Sequence, residues 1–344
     1  MSNKIDTLDG VRGLALLNVL ILHATGLFFP SINSSLSGTA QFGVWLFFVL
    51  SAFLLTNRFF VTGFSFPSLL SYFLGRALRI LPVFFFAVFV YYWGGLFDEK
   101  KLIDILNFSG TYAHFWTIPV EFSFYFLLPV IAFACIRISR KFGAYSAVCL
   151  LVVLFAIQQD IYPYTQLNLG GRMVWYLPVF LCGMIISCLY MNGKRLTFNS
   201  YLTDTICFGV IVVCAISAPD LLGSKIGINT PGGISNKFVF YAPLLAIFVY
   251  LLCEGKGVLG WIMKTRFMTN LGRWSFSIYL WHLLIMFKTA PLNHNNYVMF
   301  IVTIISCIGF GAISFNLIEE PCERFRHRIM AFICGFRINR KQTI

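Results

Sequence analysis

The chain is 344 residues long, 58% hydrophobic and only 11% charged, with a formal net charge of +13. A soluble chain carries about 25% charge, and no stretch here stays polar long enough to build even one soluble domain, so lipid must cover much of the surface. The positive charge therefore points away from nucleic acid and towards membrane topology, because basic residues gather on cytoplasmic loops.

Crossing a bilayer core takes about 20 mostly apolar residues. Ten segments meet or approach that length: 11–29, 42–57, 79–97, 120–137, 144–161, 173–190, 201–218, 237–253, 272–289 and 298–318. They predict an all-α fold, a polytopic integral membrane bundle of about ten transmembrane helices. The first run is too long for a signal-peptide core, follows Asp6 and Asp9, and has no small-residue cleavage site after it, so it reads as a retained helix. If all ten segments cross, the loops alternate between two faces. The face shared by both termini collects 20 of the 26 Lys and Arg, among them Lys4, Lys141 and Lys194. That bias places both termini in the cytoplasm, with Lys141 and Lys194 inside and Ser35 and Gly170 outside. Residues 1–320 read as one membrane domain, and 321–344 as a basic cytoplasmic tail that lies on anionic lipid. The ten cysteines include no CxxC pair. Cys149, Cys182, Cys207, Cys214 and Cys307 fall in apolar runs and read as packed core thiols, with no metal site and no disulfide framework.

Ionisable groups at membrane depth are costly, so they are the candidate functional residues. The first helix carries Arg12 and His23. Their spacing gives about 16 Å of rise and about 20° of rotation, which puts both on one stripe. An imidazole at that depth is the side chain best matched to accepting a proton near neutral pH. Arg76 and Arg79, three apart before Pro82 in RALRILP, offer two guanidinium forks suited to phosphate. Glu121 begins the fourth helix, near the outer third of the membrane, where it is expected to hold the imidazolium of His23 as a carboxylate orients the base of a triad. Arg273 in LGRWS is a further cation for phosphate, and His282 in SIYLWH lies at mid-membrane.

In order along the chain stand LDGVRGLALLNVLILHA, FFVLSAFLL, RALRILP, FWTIPVEFSFYFLLP, LGRWSFSIYLWH and IEEPCERF. Together they resemble the acyltransferase family 3 of membrane acyltransferases, whose Arg-x10-His motif corresponds to Arg12 and His23. The resemblance implies transfer of an acyl group, commonly acetyl, from cytosolic acyl-CoA to a hydroxyl of a cell-surface polysaccharide or lipid-linked glycan. It also implies a multi-pass protein of the cell membrane, the inner membrane in a bacterium, needing no metal. It makes Arg12 and His23 the signature pair, Arg76 and Arg79 the CoA-side arginines, and Glu121 the carboxylate of the fourth helix. Ala52 and Phe122 depart from the family pattern, where a glycine and a second acid are common. Some relatives add an SGNH-type domain, and none is expected in the residues that follow Glu320. Direct transfer and an acyl-enzyme on His23 or Ser51 both stay open, as do a transporter or flippase without chemistry and an acyltransferase acting on a small metabolite.

Overall fold

The computed structural model describes residues 5–166, 171–218 and 236–334. Lys4, Gly170, Lys225 and the end of the basic tail, with Arg337, Arg340 and Lys341, lie outside the described residues. Regular structure among the described residues is entirely helical. Each of the ten apolar segments is a helix: α1 Asp6–Phe28, α2 Gln41–Thr62, α3 Phe66–Trp93, α4 Thr117–Phe142, α5 Ala144–Ile161, α6 Met173–Met191, α7 Ser200–Ile216, α8 Phe238–Leu252, α9 Arg266–Thr289 and α10 Tyr297–Ser314. A turn of π-helix, Phe315–Glu319, joins α10 to α11, Glu320–Cys334.

Among the described residues, seven helical segments are long and apolar enough to cross a membrane, or eight if α8 and the short helix Gly257–Met263, bent from it by 83°, form one broken span. The expected count of about ten is thus not met by length and composition alone. The two shortfalls have different causes. α7 is apolar but only 17 residues long. α9 is 24 residues long, but it carries Thr269, Asn270, Arg273, Ser275, Ser277 and His282, which dilute its apolar character. The bend after α8 uses Gly255 and Gly257, both at positive φ, where a side chain would be strained.

The sequence sets the third helix too late. α3 starts at Phe66, not near residue 79, so Arg76 stands about 15 Å into the helix rather than at its mouth. Pro82 does not end it: a proline inside a buried helix is tolerated where neighbouring groups satisfy the freed carbonyl.

Apolar side chains lie outside as well as inside. Val152, Ile157, Phe208, Ile305, Phe310 and Ile313 are exposed on α5, α7 and α10, as a lipid-facing surface requires. Cys149 is exposed on α5 too, so that thiol is not a core residue, whereas Cys182, Cys207 and Cys307 are buried.

Gly13 and Gly272 draw α1 and α9 together, and Gly10 brings α1 onto the short helix Gly257–Met263 just before α9. A Cβ on Gly10 would overlap the Met263 carbonyl, one on Gly13 the Met268 carbonyl, and one on Gly272 the Asp9 carbonyl. Small residues at a helix crossing let backbones touch, which is how helices associate in lipid. Residues 10–13 of α1 meet 263–272, and His23 meets His282, so α1 and α9 run parallel.

Candidate active site

The parallel pairing of α1 with α9 brings His23 and His282 side by side. His23 Nδ1 lies 2.9 Å from His282 Nε2, with the rings only 3° from parallel and their centroids 5.2 Å apart. That separation is what two imidazoles joined nitrogen to nitrogen in one plane require; it is not a face-to-face stack. The partners assign the protons. His282 Nδ1 lies 2.6 Å from the carbonyl oxygen of Tyr279, which can only accept, so this nitrogen carries the proton. Neutral His282 then offers Nε2 as acceptor, and His23 donates through Nδ1–H. Nε2 of His23 is left as the basic nitrogen, on a half-buried ring, with no partner among the described residues. His282 is 1% exposed, so the pair presents one face to its surroundings through His23 alone.

His114, 3% exposed, is a third histidine against this pair. Its ring meets that of His282 at 64° with centroids 4.9 Å apart. Its Nε2 donates to the carbonyl of Leu280 at 3.2 Å, and its Nδ1 is buried without a partner. Tyr91 braces the same stretch of α9: its hydroxyl donates to the Leu280 carbonyl at 3.0 Å and accepts from the Leu284 amide at 2.7 Å. A side chain is thus inserted between two groups that an unbroken helix would pair.

Glu121 does not hold His23. Its carboxylate accepts from the Ser51 hydroxyl at 2.8 Å and from the Tyr125 hydroxyl, one turn further along α4. The reason is the start of α4. The preceding turn, Ala113–Trp116, packs its His114 onto α9 inside the bundle, so α4 begins well below the surface rather than at it. Glu121 consequently lies deeper than expected, on the side of Tyr125 that leads to the arginines. The Tyr125 ring in turn lies 5.9 Å from the Arg76 guanidinium, and Tyr72 donates to the Tyr125 carbonyl.

At the other end of this chain of contacts sits a cluster of arginines. Arg12 lies within electrostatic reach of Arg79, Asp9, Arg76 and Glu121. Arg79 pairs with Glu319 at 3.6 Å. Glu319, 1% exposed, is turned inward by the π-helical turn and also accepts from Ser277 at 3.0 Å. Nε of Arg76 is buried without a partner. Arg58 and Arg326 add to the positive charge around Arg76, and Arg326 reaches it from α11, against Gly75. More arginine than carboxylate meets here, and a buried guanidinium with an unpaired donor is suited to a phosphate. Arg273 stands apart: it is exposed, paired with Glu320 at 3.3 Å and set against the Phe315 ring.

Of the residues picked from sequence, the structure joins His23 to His282, and Arg12 to Arg76 and Arg79, with Glu121 between the two groups. It separates Glu121 from His23 and ties Arg273 to a carboxylate. His114, Tyr125 and Glu319 are not among the residues the sequence marks. His114 and Tyr125 each stood beside or inside a motif already marked, and Glu319 was the first of two adjacent acids, one of which turns inward.

The family model described as an acyltransferase domain, that of acyltransferase 3, matches residues 5–319. YrhL of Bacillus subtilis (strain 168), provisionally named a peptidoglycan O-acetyltransferase, is 22% identical over 91% of this chain and 54% of its own length. The peptidoglycan O-acetyltransferase OatA of Listeria monocytogenes serovar 1/2a (strain ATCC BAA-679 / EGD-e) is 22% identical over 93% of this chain and 56% of its own. Nodulation protein 10 of Rhizobium leguminosarum bv. viciae is 22% identical over 94% of each chain. The chain thus spans about half the length of the first two relatives. No solved structure matches it.

Proposed function

The chain belongs to the acyltransferase 3 family, and from that membership and the geometry of its site we propose that it transfers an acyl group, acetyl in the first instance, from acyl-CoA to a hydroxyl of a cell-surface polysaccharide or lipid-linked glycan. The observation that carries the reading is the His23–His282 pair, which leaves one imidazole nitrogen basic and without a partner among the described residues. In this reading Nε2 of His23 takes the proton of the acceptor hydroxyl as its oxygen attacks the thioester carbonyl. The carbon–sulfur bond breaks, and the CoA thiolate leaves with the proton that His23 has taken. His282 accepts the Nδ1–H bond throughout, so the positive charge that develops on His23 falls on a bond already made. The donor's phosphates rest on Arg76, with Arg12, Arg58 and Arg326 around it. Arg79 is held by Glu319 and orients that group. Glu121, Ser51 and Tyr125 line the way between phosphates and thioester.

The same proposal sets both termini in the cytoplasm, with all ten helices crossing a cell membrane. Two features support it: the 20-to-6 division of basic residues, and the parallel run of α1 and α9, which an odd number of crossings between them would produce. Arg12 then faces the cytosolic donor. His23, about 16 Å further along α1, faces an acceptor arriving from outside.

Surface glycans from cells with and without the protein, compared by mass spectrometry, test the reading. An acyl mass increment that disappears with the gene is expected. An unchanged glycan alongside an altered flux of some other solute would overturn it in favour of transport.

A further inference from the structure

A cavity lies on the far side of the bundle from the histidines. It is a groove of about 690 Å³ between α5, α6 and α8. Val152 and Phe155 of α5, Cys182 and Ile186 of α6, and Ala246 and Ile247 of α8 line it. α6 divides it from the active site. On that helix Cys182 and Ile186 face the groove, while Gly183 packs against Val49 and Ala52 of α2; α2 in turn rests on α1 through Gly43. Neither acyl donor nor acceptor bound at His23 would occupy it.

An apolar wall facing lipid is ordinary in a membrane bundle, but the mouth of this groove is not apolar. Lys194 and Arg195 stand there side by side, just beyond the turn at Gly193 that ends α6. Both are already placed. The Lys194 ammonium lies 5.6 Å from the Tyr145 ring. The Arg195 guanidinium lies 4.8 Å from the Tyr190 ring and gives one of its donors to Glu254 at 3.3 Å. Among the described residues its guanidinium makes no other hydrogen bond, and a guanidinium has five donors. The two cations against one carboxylate leave a single net positive charge. In the wall beside them, the Tyr250 hydroxyl is buried without a partner on a residue only 5% exposed. A buried hydroxyl without a bond is costly.

We propose that this groove binds one anionic phospholipid, with an acyl chain between α5, α6 and α8 and its phosphate on Lys194 and Arg195. The ligand brings what the groove lacks: an apolar chain to fill it and one negative charge to match the mouth. A zwitterionic lipid would set its ammonium against two cations. The mouth lies on the face assigned to the cytoplasm, where anionic lipids attract basic groups. The assignment rests on the cytoplasmic orientation proposed above and stands apart from the acyl-transfer chemistry.

Native mass spectrometry of the full chain in detergent tests it, with phosphatidylglycerol, phosphatidylcholine and inorganic phosphate as probes. One phosphatidylglycerol per chain is expected, bound at least tenfold more tightly than phosphatidylcholine and not displaced by millimolar phosphate. Lys194→Ala with Arg195→Ala should bring phosphatidylglycerol down to the level of phosphatidylcholine. Ala246→Phe, which fills the groove without touching Glu254, should weaken both lipids. If the double variant fails to accumulate, Lys194→Ala alone should still weaken phosphatidylglycerol at least threefold. Equal binding of the two lipids, displacement by phosphate alone, a second copy of the chain seated on this face in place of lipid, or folded variants that bind as the wild type would each overturn the assignment.

Discussion

Replacing His282 by phenylalanine isolates the histidine pair. The substitution keeps a planar ring in a site 1% exposed but removes the Nε2 that accepts from His23 Nδ1 at 2.9 Å. In the resting enzyme this is a neutral hydrogen bond, contributing about 0.5–1.5 kcal/mol; once His23 holds the acceptor's proton, the bond is charge-assisted and contributes about 1.5–3 kcal/mol. The difference, roughly 1–2 kcal/mol, slows turnover about 5- to 30-fold. Loss of the fixed tautomer adds to this, for a total of about 10- to 100-fold in kcat with little change in KM. His23→Asn, which removes the base itself, should cost about 10²- to 10⁴-fold. The assay is acyl transfer from acyl-CoA to a glycan acceptor by protein in liposomes, read by mass spectrometry, with thermal stability measured for each variant. His282 is proposed to act only through His23, so the double variant should be no slower than His23→Asn alone. Near wild-type kcat in folded His282→Phe, or a further loss in the double variant, would refute the dyad.

Arg76→Ala should weaken acyl-CoA binding about tenfold in equilibrium titration, the loss of one charge-assisted bond, while the protein still folds. Arg79→Ala is a different perturbation: it strands the buried Glu319, so it should also lower thermal stability, by about 3–5 kcal/mol for a broken buried pair. Arg12→Ala should be partly rescued by Arg12→Lys when donor affinity is measured, whereas no cationic replacement should rescue His23. Gly272→Ala drives a methyl into the Asp9 carbonyl; overpacking costs about 1–3 kcal/mol, so the melting temperature in detergent and the transfer rate should fall together. An impermeant thiol reagent should label a cysteine placed at Ser35 from outside and spare one at Lys141 or Lys194; labelling at 141 from outside would overturn the orientation.

The amino-acid sequence determined the class of molecule. Apolar runs of bilayer length, interrupted by a few ionisable residues, leave only a helical membrane protein, because lipid satisfies no backbone polar group and tolerates few charges. It also determined which side chains deserve suspicion: Arg12, His23, Arg76, Arg79, Glu121 and His282 are conspicuous because a charge at membrane depth has few bland explanations. Which of them touch was decided only by packing. Gly13 and Gly272 let α1 and α9 approach until His23 reaches His282, 259 positions away in the chain. A turn that dips into the bundle before α4 carries Glu121 past His23 to Ser51 and Tyr125. A single π-helical turn aims Glu319 at Arg79 while its neighbour Glu320 faces outward to Arg273. Hydropathy is a property of a segment and survives without coordinates. The partner of a buried polar group is set by which other segment lies alongside, and at what depth each helix begins, and those follow from contacts hundreds of residues apart.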